Sequence, residues 1–169
     1  MTYQKFTADM MVEIPLGSSV KYEFDKAKNI IRVDRVLHTM PYPFNYGYIP
    51  HTLAGDGDPL DVILLNKHTL YPHTLVKVKI IGLLHTEDEK GLDDKLIAVM
   101  DDDLDPISSA INTINDDRLH AIHGQLLDQI TYFFTRYKDL EKGKWVKVHG
   151  YKGIEVARKI YDQALINES

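Results

Sequence analysis

DGDPLDVILL, Asp56 to Leu65, is the stretch on which the reading of the fold turns. It sets Asp56, Asp58 and Asp61 within six residues and then runs into apolar chain. A calcium-binding helix–loop–helix starting at Asp56 needs an oxygen ligand at position 60, glycine at 61 and glutamate at 67. The chain has Leu60, Asp61 and Lys67 there, so that fold fails. The other reading is a tight turn, with Gly57 and Pro59 as its turn residues, leading into a short strand, LDVILL, buried on both faces. The strand reading stands.

Working outward, SVKYEFD and IIRVDRV have the β-branched, period-two character of strands, separated by the polar turn KAKN. LVKVKIIGLL alternates from Leu75 to Ile80, which places Lys77 and Lys79 on an outer face. LIAVM is a further strand and ends at the acidic turn DDDLDP. Asp105 and Pro106 then form a cap and first turn for a helix through ISSAINTIN. From Asp117, the residues Leu119, Ile122, Leu126, Leu127, Ile130, Phe133, Phe134 and Tyr137 recur at the spacing of one helix of roughly five turns. A strand, WVKVH, and an amphipathic helix from Ile154 to about Leu165 follow. Strands first and helices after define an α+β domain, and so many short strands favour a small closed barrel over an open sheet. Residues 1–169 read as a single domain, without internal repeats or low-complexity segments.

Composition narrows the function classes. Apolar residues make up 44% and charged residues 27%, enough for a packed core. The net charge of -5 opposes general binding to nucleic acid or an anionic membrane. With no cysteine, disulfides and thiolate chemistry are excluded. The first fifteen residues lack the continuous apolar run of a secretory signal, and no run in the chain is long enough to span a bilayer. A cytoplasmic location is the expectation.

The carboxylates carry the chemistry. Two unit charges about 4 Å apart repel by roughly 4 kcal/mol at an effective dielectric of 20. A divalent cation would turn that repulsion in DGDPLD into binding; a plain exposed turn is the competing reading. A second acidic cluster, TEDEKGLDDK, holds Glu87, Asp88, Glu89, Asp93 and Asp94 with Lys95 at a strand-to-strand connection. Both clusters flank buried strands and can meet at one barrel mouth. The run at Asp101 to Asp105 is a turn and helix cap. Lys21 and Glu23 share one face of a strand, Arg35 ends another, and MPYPFNYGYIP packs Tyr42, Tyr46 and Tyr48 among prolines and Gly47. Tyr137 and Lys138 close the long helix, where lysine also suits the helix dipole. Carboxylates suit Mg2+, while lysine, arginine and tyrosine suit phosphate oxygens. Together they describe metal-assisted phosphoryl transfer. The eight histidines form no recognised zinc motif, though His120 and His123 lie three apart.

The segments EIP, KYE, VDR, YPFNYGYIP, DGDPLDV, the acidic loop around Gly91 and YKDLEKGKW follow in one order from about Val12 to Gly150. In this the chain resembles the family I soluble inorganic pyrophosphatases of the short bacterial type. The resemblance implies a five-stranded OB-like barrel with two main helices packed on it, and hydrolysis of pyrophosphate to two orthophosphates by a metal-activated water. It implies several Mg2+ ions per site, with Mn2+ or Zn2+ as possible substitutes. Asp56, Asp61 and Asp93 would hold the activating metals. Asp88 and Glu13, supported by Glu23 and Glu89, would hold those that arrive with substrate. Asp58 would receive the proton of the attacking water. Lys21, Arg35, Tyr46, Lys95, Tyr137 and Lys138 would contact phosphate, with Tyr42 and Lys144 beside them. The resemblance also implies a homohexamer. Two other readings remain: a nucleic-acid-binding OB module, which the acidic clusters oppose, and a divalent-cation buffer, which leaves Lys21, Arg35 and Lys138 unexplained.

Overall fold

The computed structural model describes residues 4–166. The strands are β1 (Thr7–Ile14), β2 (Val20–Asp25), β3 (Ile30–Val36), β4 (Asn45–Tyr48), β5 (Asp61–Leu64), β6 (Leu75–Asp88), β7 (Gly91–Leu92), β8 (Lys95–Met100) and β9 (Val146–Lys152). The helices are α1 (Asp117–His123), α2 (Leu126–Arg136) and α3 (Ile154–Ala164).

Hydrogen bonding runs from β1 to β4, β5, β8 and β6, and β6 pairs back onto β1. Five strands thus close a ring, which satisfies the edges an open sheet would leave unpaired. All its pairings are antiparallel except β5 with β8. β6, fourteen residues long, extends past the ring to pair with β7 and β9.

β5 is buried on both faces, as its unbroken apolar run requires. Val62 and Leu64 join Met10, Val78, Leu96, Ala98 and Ala157 of α3 in one cluster. Ile63 and Leu65 join Phe44, Ile81, Ile97 and the α2 residues Ile130, Phe133 and Phe134 in another. Each of the two main helices therefore covers one of the two apolar layers.

Several elements differ from their sequence signals. β1 and β4 belong to the barrel although neither reads plainly as a strand. In β1, Met10, Val12 and Ile14 alternate inward, but Asp9 before them and Glu13 among them break the β-branched signature. β4 is only four residues, and its Gly47 is the sheet's closest approach: a Cβ there would lie 1.8 Å from the Met11 carbonyl oxygen. The hairpin of β2 and β3 forms its own two-stranded sheet outside the ring. The expected long helix is two, because Gly124, at φ 62, terminates α1 in a conformation that costs glycine little. The segment after Pro106 yields only a single 3-10 turn, Ser108–Ala110, since its serines and asparagines compete for backbone groups. The expected Asp105 cap moves as well: Ile107 flanks the turn without a side-chain cap, while Asp105 Oδ1 accepts the backbone N–H groups of Ile107 and Ser108 at 3.1 and 3.2 Å just ahead of it. Lys77 is exposed as expected, but Lys79 is buried beneath that turn, where its ammonium donates to the Ser109 carbonyl and to Asn112 Oδ1.

Candidate active site

The turn before β5 is shaped by its own side chains. Asp56 Oδ1 accepts the backbone N–H of Asp58 at 3.0 Å, and Gly57 takes φ 88, where a side chain would be strained. The Ala54 N–H donates to the Asp58 carbonyl at 2.7 Å and closes the loop. β5 then begins at Asp61, paired in parallel register with Lys95 at the start of β8. That pairing carries the second acidic loop beside the first.

Lys95 is the pivot. Its ammonium is buried and donates to Tyr46 Oη at 2.8 Å, Asp93 Oδ2 at 2.9 Å and Asp61 Oδ2 at 3.0 Å. Burial alone would lower its pKa, but Asp61 and Asp93 outweigh burial and hold it charged. Burial, opposed by Lys95 and reinforced by Asp61, pushes the Asp93 carboxyl above its usual range. At the tip of β6, Lys138 donates to Asp88 Oδ2 at 2.9 Å and lies 3.6 Å from Glu89 Oε1. Burial opposes ionisation of Asp88, and the Lys138 and Lys90 hydrogen bonds outweigh it. Tyr42, Tyr46 and Tyr137 are all raised by burial, so each remains a neutral hydroxyl at neutral pH.

These groups meet in one cavity of about 180 Å³. Seven carboxylates line it: Glu13, Asp56, Asp58, Asp61, Asp88, Glu89 and Asp93. Six cations join them: Lys21, Arg35, Lys90, Lys95, Lys138 and Lys144. Tyr42, Tyr46 and Tyr137 complete the polar wall. The cavity thus gathers every candidate side chain except Glu23, which lines the neighbouring cleft together with Glu13 and Tyr48. Strand alternation put Glu23 on the face of Lys21, yet at 3.3 Å per residue the step carries it past the cavity rim. Lys90 was missed; it sits inside the acidic loop, and its neighbours' charges hid it. Glu141 was missed too: it lies 3.0 Å from the Lys144 ammonium and 4.0 Å from Arg35, helping to hold both at the rim.

The donor set fits a hard divalent cation. It offers only oxygen ligands, with no thiolate or imidazole at the cavity wall. Among the described residues no three acidic or histidine side chains converge as a finished ligand cage. Lysine ammoniums instead span the carboxylates: Lys95 joins Asp61 and Asp93, and Lys138 joins Asp88. Burial, opposed by Lys21 and reinforced by Asp61, Asp34 and Asp58, pushes the Glu13 carboxyl up to about 7.

Comparison with known proteins agrees with this chemistry. The model of the inorganic pyrophosphatase family matches residues 10–168. An inorganic pyrophosphatase of Saccharolobus solfataricus is 44% identical over 158 residues, covering 93% of this chain and 89% of that protein. One from Nanoarchaeum equitans is 48% identical over 157 residues, covering 92% and 94%. The solved structure of an inorganic pyrophosphatase from Coxiella burnetii superposes with a TM-score of 0.86 at 39% identity, covering 97% of this chain and 96% of that one. The barrel, the gathered carboxylates and these likenesses lead to one conclusion: the chain belongs to the inorganic pyrophosphatase family.

Proposed function

We propose that this protein hydrolyses inorganic pyrophosphate to two orthophosphates in the cavity between the Asp56–Asp61 loop and the tip of β6. The observation that carries the reading is Lys95, a buried ammonium shared by Asp61, Asp93 and Tyr46, with Lys21, Arg35, Lys138 and Lys144 around the same cavity. A site that interleaves seven carboxylates with six cations suits a polyanion that arrives with metal, and does not suit a polyanion alone.

Mg2+ would be held by Asp56, Asp61 and Asp93, and by Asp88 and Glu13 with Glu89 near, with Mn2+ or Zn2+ as substitutes. Bound there, the ions would neutralise phosphate charge and acidify the water they carry. Asp58 takes the proton as the water oxygen bonds to phosphorus and the bridging P–O bond breaks. Lys21, Arg35, Lys138 and Lys144 steady the phosphate oxygens, and the neutral hydroxyls of Tyr42, Tyr46 and Tyr137 donate to them. Glu23, outside the cavity, would support Asp88 and Glu13 from the neighbouring cleft, which Glu13 also lines. Purified protein with millimolar Mg2+ will release two phosphates per pyrophosphate consumed, and excess EDTA will abolish release. Well-folded protein that is inactive at every Mg2+ concentration contradicts the reading.

The protein works as a cytoplasmic enzyme and a homohexamer in this reading. No helix among the described residues is long and apolar enough to cross a membrane. The β2–β3 hairpin leaves Ile30, Val33 and Val36 about half exposed, an apolar face suited to another copy.

A further inference from the structure

Two histidines outside the cavity are drawn together by an irregularity in the sheet. β6 and β9 pair His85 with Gly150 and Thr86 with Val148, so His149 is the extra residue of a bulge. Gly150 takes φ 114, a conformation open to glycine, and so permits the slip. The slip brings the His149 ring to the face of His85, with ring centroids 5.0 Å apart and planes at 35°.

Each ring is oriented by its own carboxylate. His85 Nδ1 lies 2.5 Å from Asp94 Oδ1, and His149 Nε2 lies 3.1 Å from Glu87 Oε2. The other nitrogen of each ring, Nε2 of His85 and Nδ1 of His149, has no protein partner among the described residues. The side chains remain 28% and 40% exposed, so an ion can reach them. One ring nitrogen bonded to a carboxylate and the other left for the ion is how metal-binding histidines are usually held.

We propose that His85 and His149 form a second metal site, which takes an imidazole-preferring divalent ion of the Cu2+, Ni2+ or Zn2+ class, with water completing its shell. Nitrogen ligands separate it chemically from the all-oxygen cavity and from Mg2+. The ion ties β6 to β9 beside the loop bearing Asp88 and Asp93, because Glu87 and Asp94 are their chain neighbours. The site stands on its own geometry, whatever reaction the cavity performs.

The probe is Cu2+, added at one equivalent to the full chain in saturating Mg2+. Electron spin-echo spectroscopy then reads the remote nitrogen of a coordinated imidazole, a signal that carboxylate and lysine ligands do not give. Wild-type protein will show two such imidazoles. The double variant His85→Gln, His149→Gln will lose the signal and bind Cu2+ at least tenfold more weakly. Asp94→Asn, which only loosens one ring, will keep the signal and weaken binding. An imidazole signal that survives the double substitution, or an all-oxygen signal in the wild type, overturns the proposal. Circular dichroism of each variant separates loss of the site from loss of the fold.

Discussion

At the scale of single residues, burial and neighbouring carboxylates hold some carboxyls of the site above their usual range. Glu13 is the sharpest case, with its carboxyl raised to about 7 by burial, against Lys21, together with Asp61, Asp34 and Asp58. A carboxyl raised in the folded state binds its proton more tightly there than in the unfolded chain. Its stabilising contribution is therefore full below pH ~4.3 and is lost as pH rises through 7. In EDTA, Glu13→Gln will stabilise the protein at pH 8 by up to about 3 kcal/mol and leave it unchanged near pH 4. With saturating Mg2+ that gain at pH 8 will vanish. Denaturant unfolding at the two pH values measures this, and an equal effect at both pH values contradicts the proposed electrostatics. Most of these residues were legible because DGDPLD and TEDEKGLDDK crowd like charges that need a reason. Lys95 was legible as a cation but not as a buried one, since its burial follows from the parallel pairing of β5 with β8.

At the scale of elements, what the sequence concealed was concealed by short or mixed patterns. β5 and β8 read correctly as strands because their apolar runs are continuous, and β6 because its first residues alternate. β1 and β4, the strands that close the ring, did not, because one interleaves acids with methionines and the other is four residues around a glycine. Lys79 looked like a solvent-facing residue by alternation, and only the turn at Ser108–Ala110, remote in sequence, buries it. The helix from Asp117 kept its apolar spacing across Gly124, so periodicity alone outran a stop signal that was present. Gly47 carries a prediction of its own. Gly47→Ala forces a methyl group against the Met11 carbonyl and will destabilise the barrel by about 3 kcal/mol. Thermal unfolding will fall by about 10 °C for a chain of this size. An unchanged melting temperature shows that β1 and β4 do not pack as described.

At the scale of the whole molecule, the ring of five strands positions two loops that lie far apart in sequence. β5 and β8 both begin at one mouth of the barrel, and β6 ends there, so Asp61, Lys95 and Asp88 meet without any long-range signal in their local sequences. The same layout leaves the β2–β3 hairpin outside the ring's hydrogen bonding, with Ile30, Ile31, Val33 and Val36 exposed. Light scattering of the purified protein will give six times the chain mass of 19.4 kDa. A mass of one chain contradicts the hexamer. The role proposed for Asp58, in the Asp56–Asp61 loop, is to take the proton of the attacking water. The most direct measurement compares pyrophosphate turnover and Mg2+ affinity in wild type and Asp58→Asn. With Asp58 as that acceptor, Mg2+ affinity stays within about threefold of wild type and turnover falls by about 10² to 10⁴. Turnover equal to wild type would contradict it.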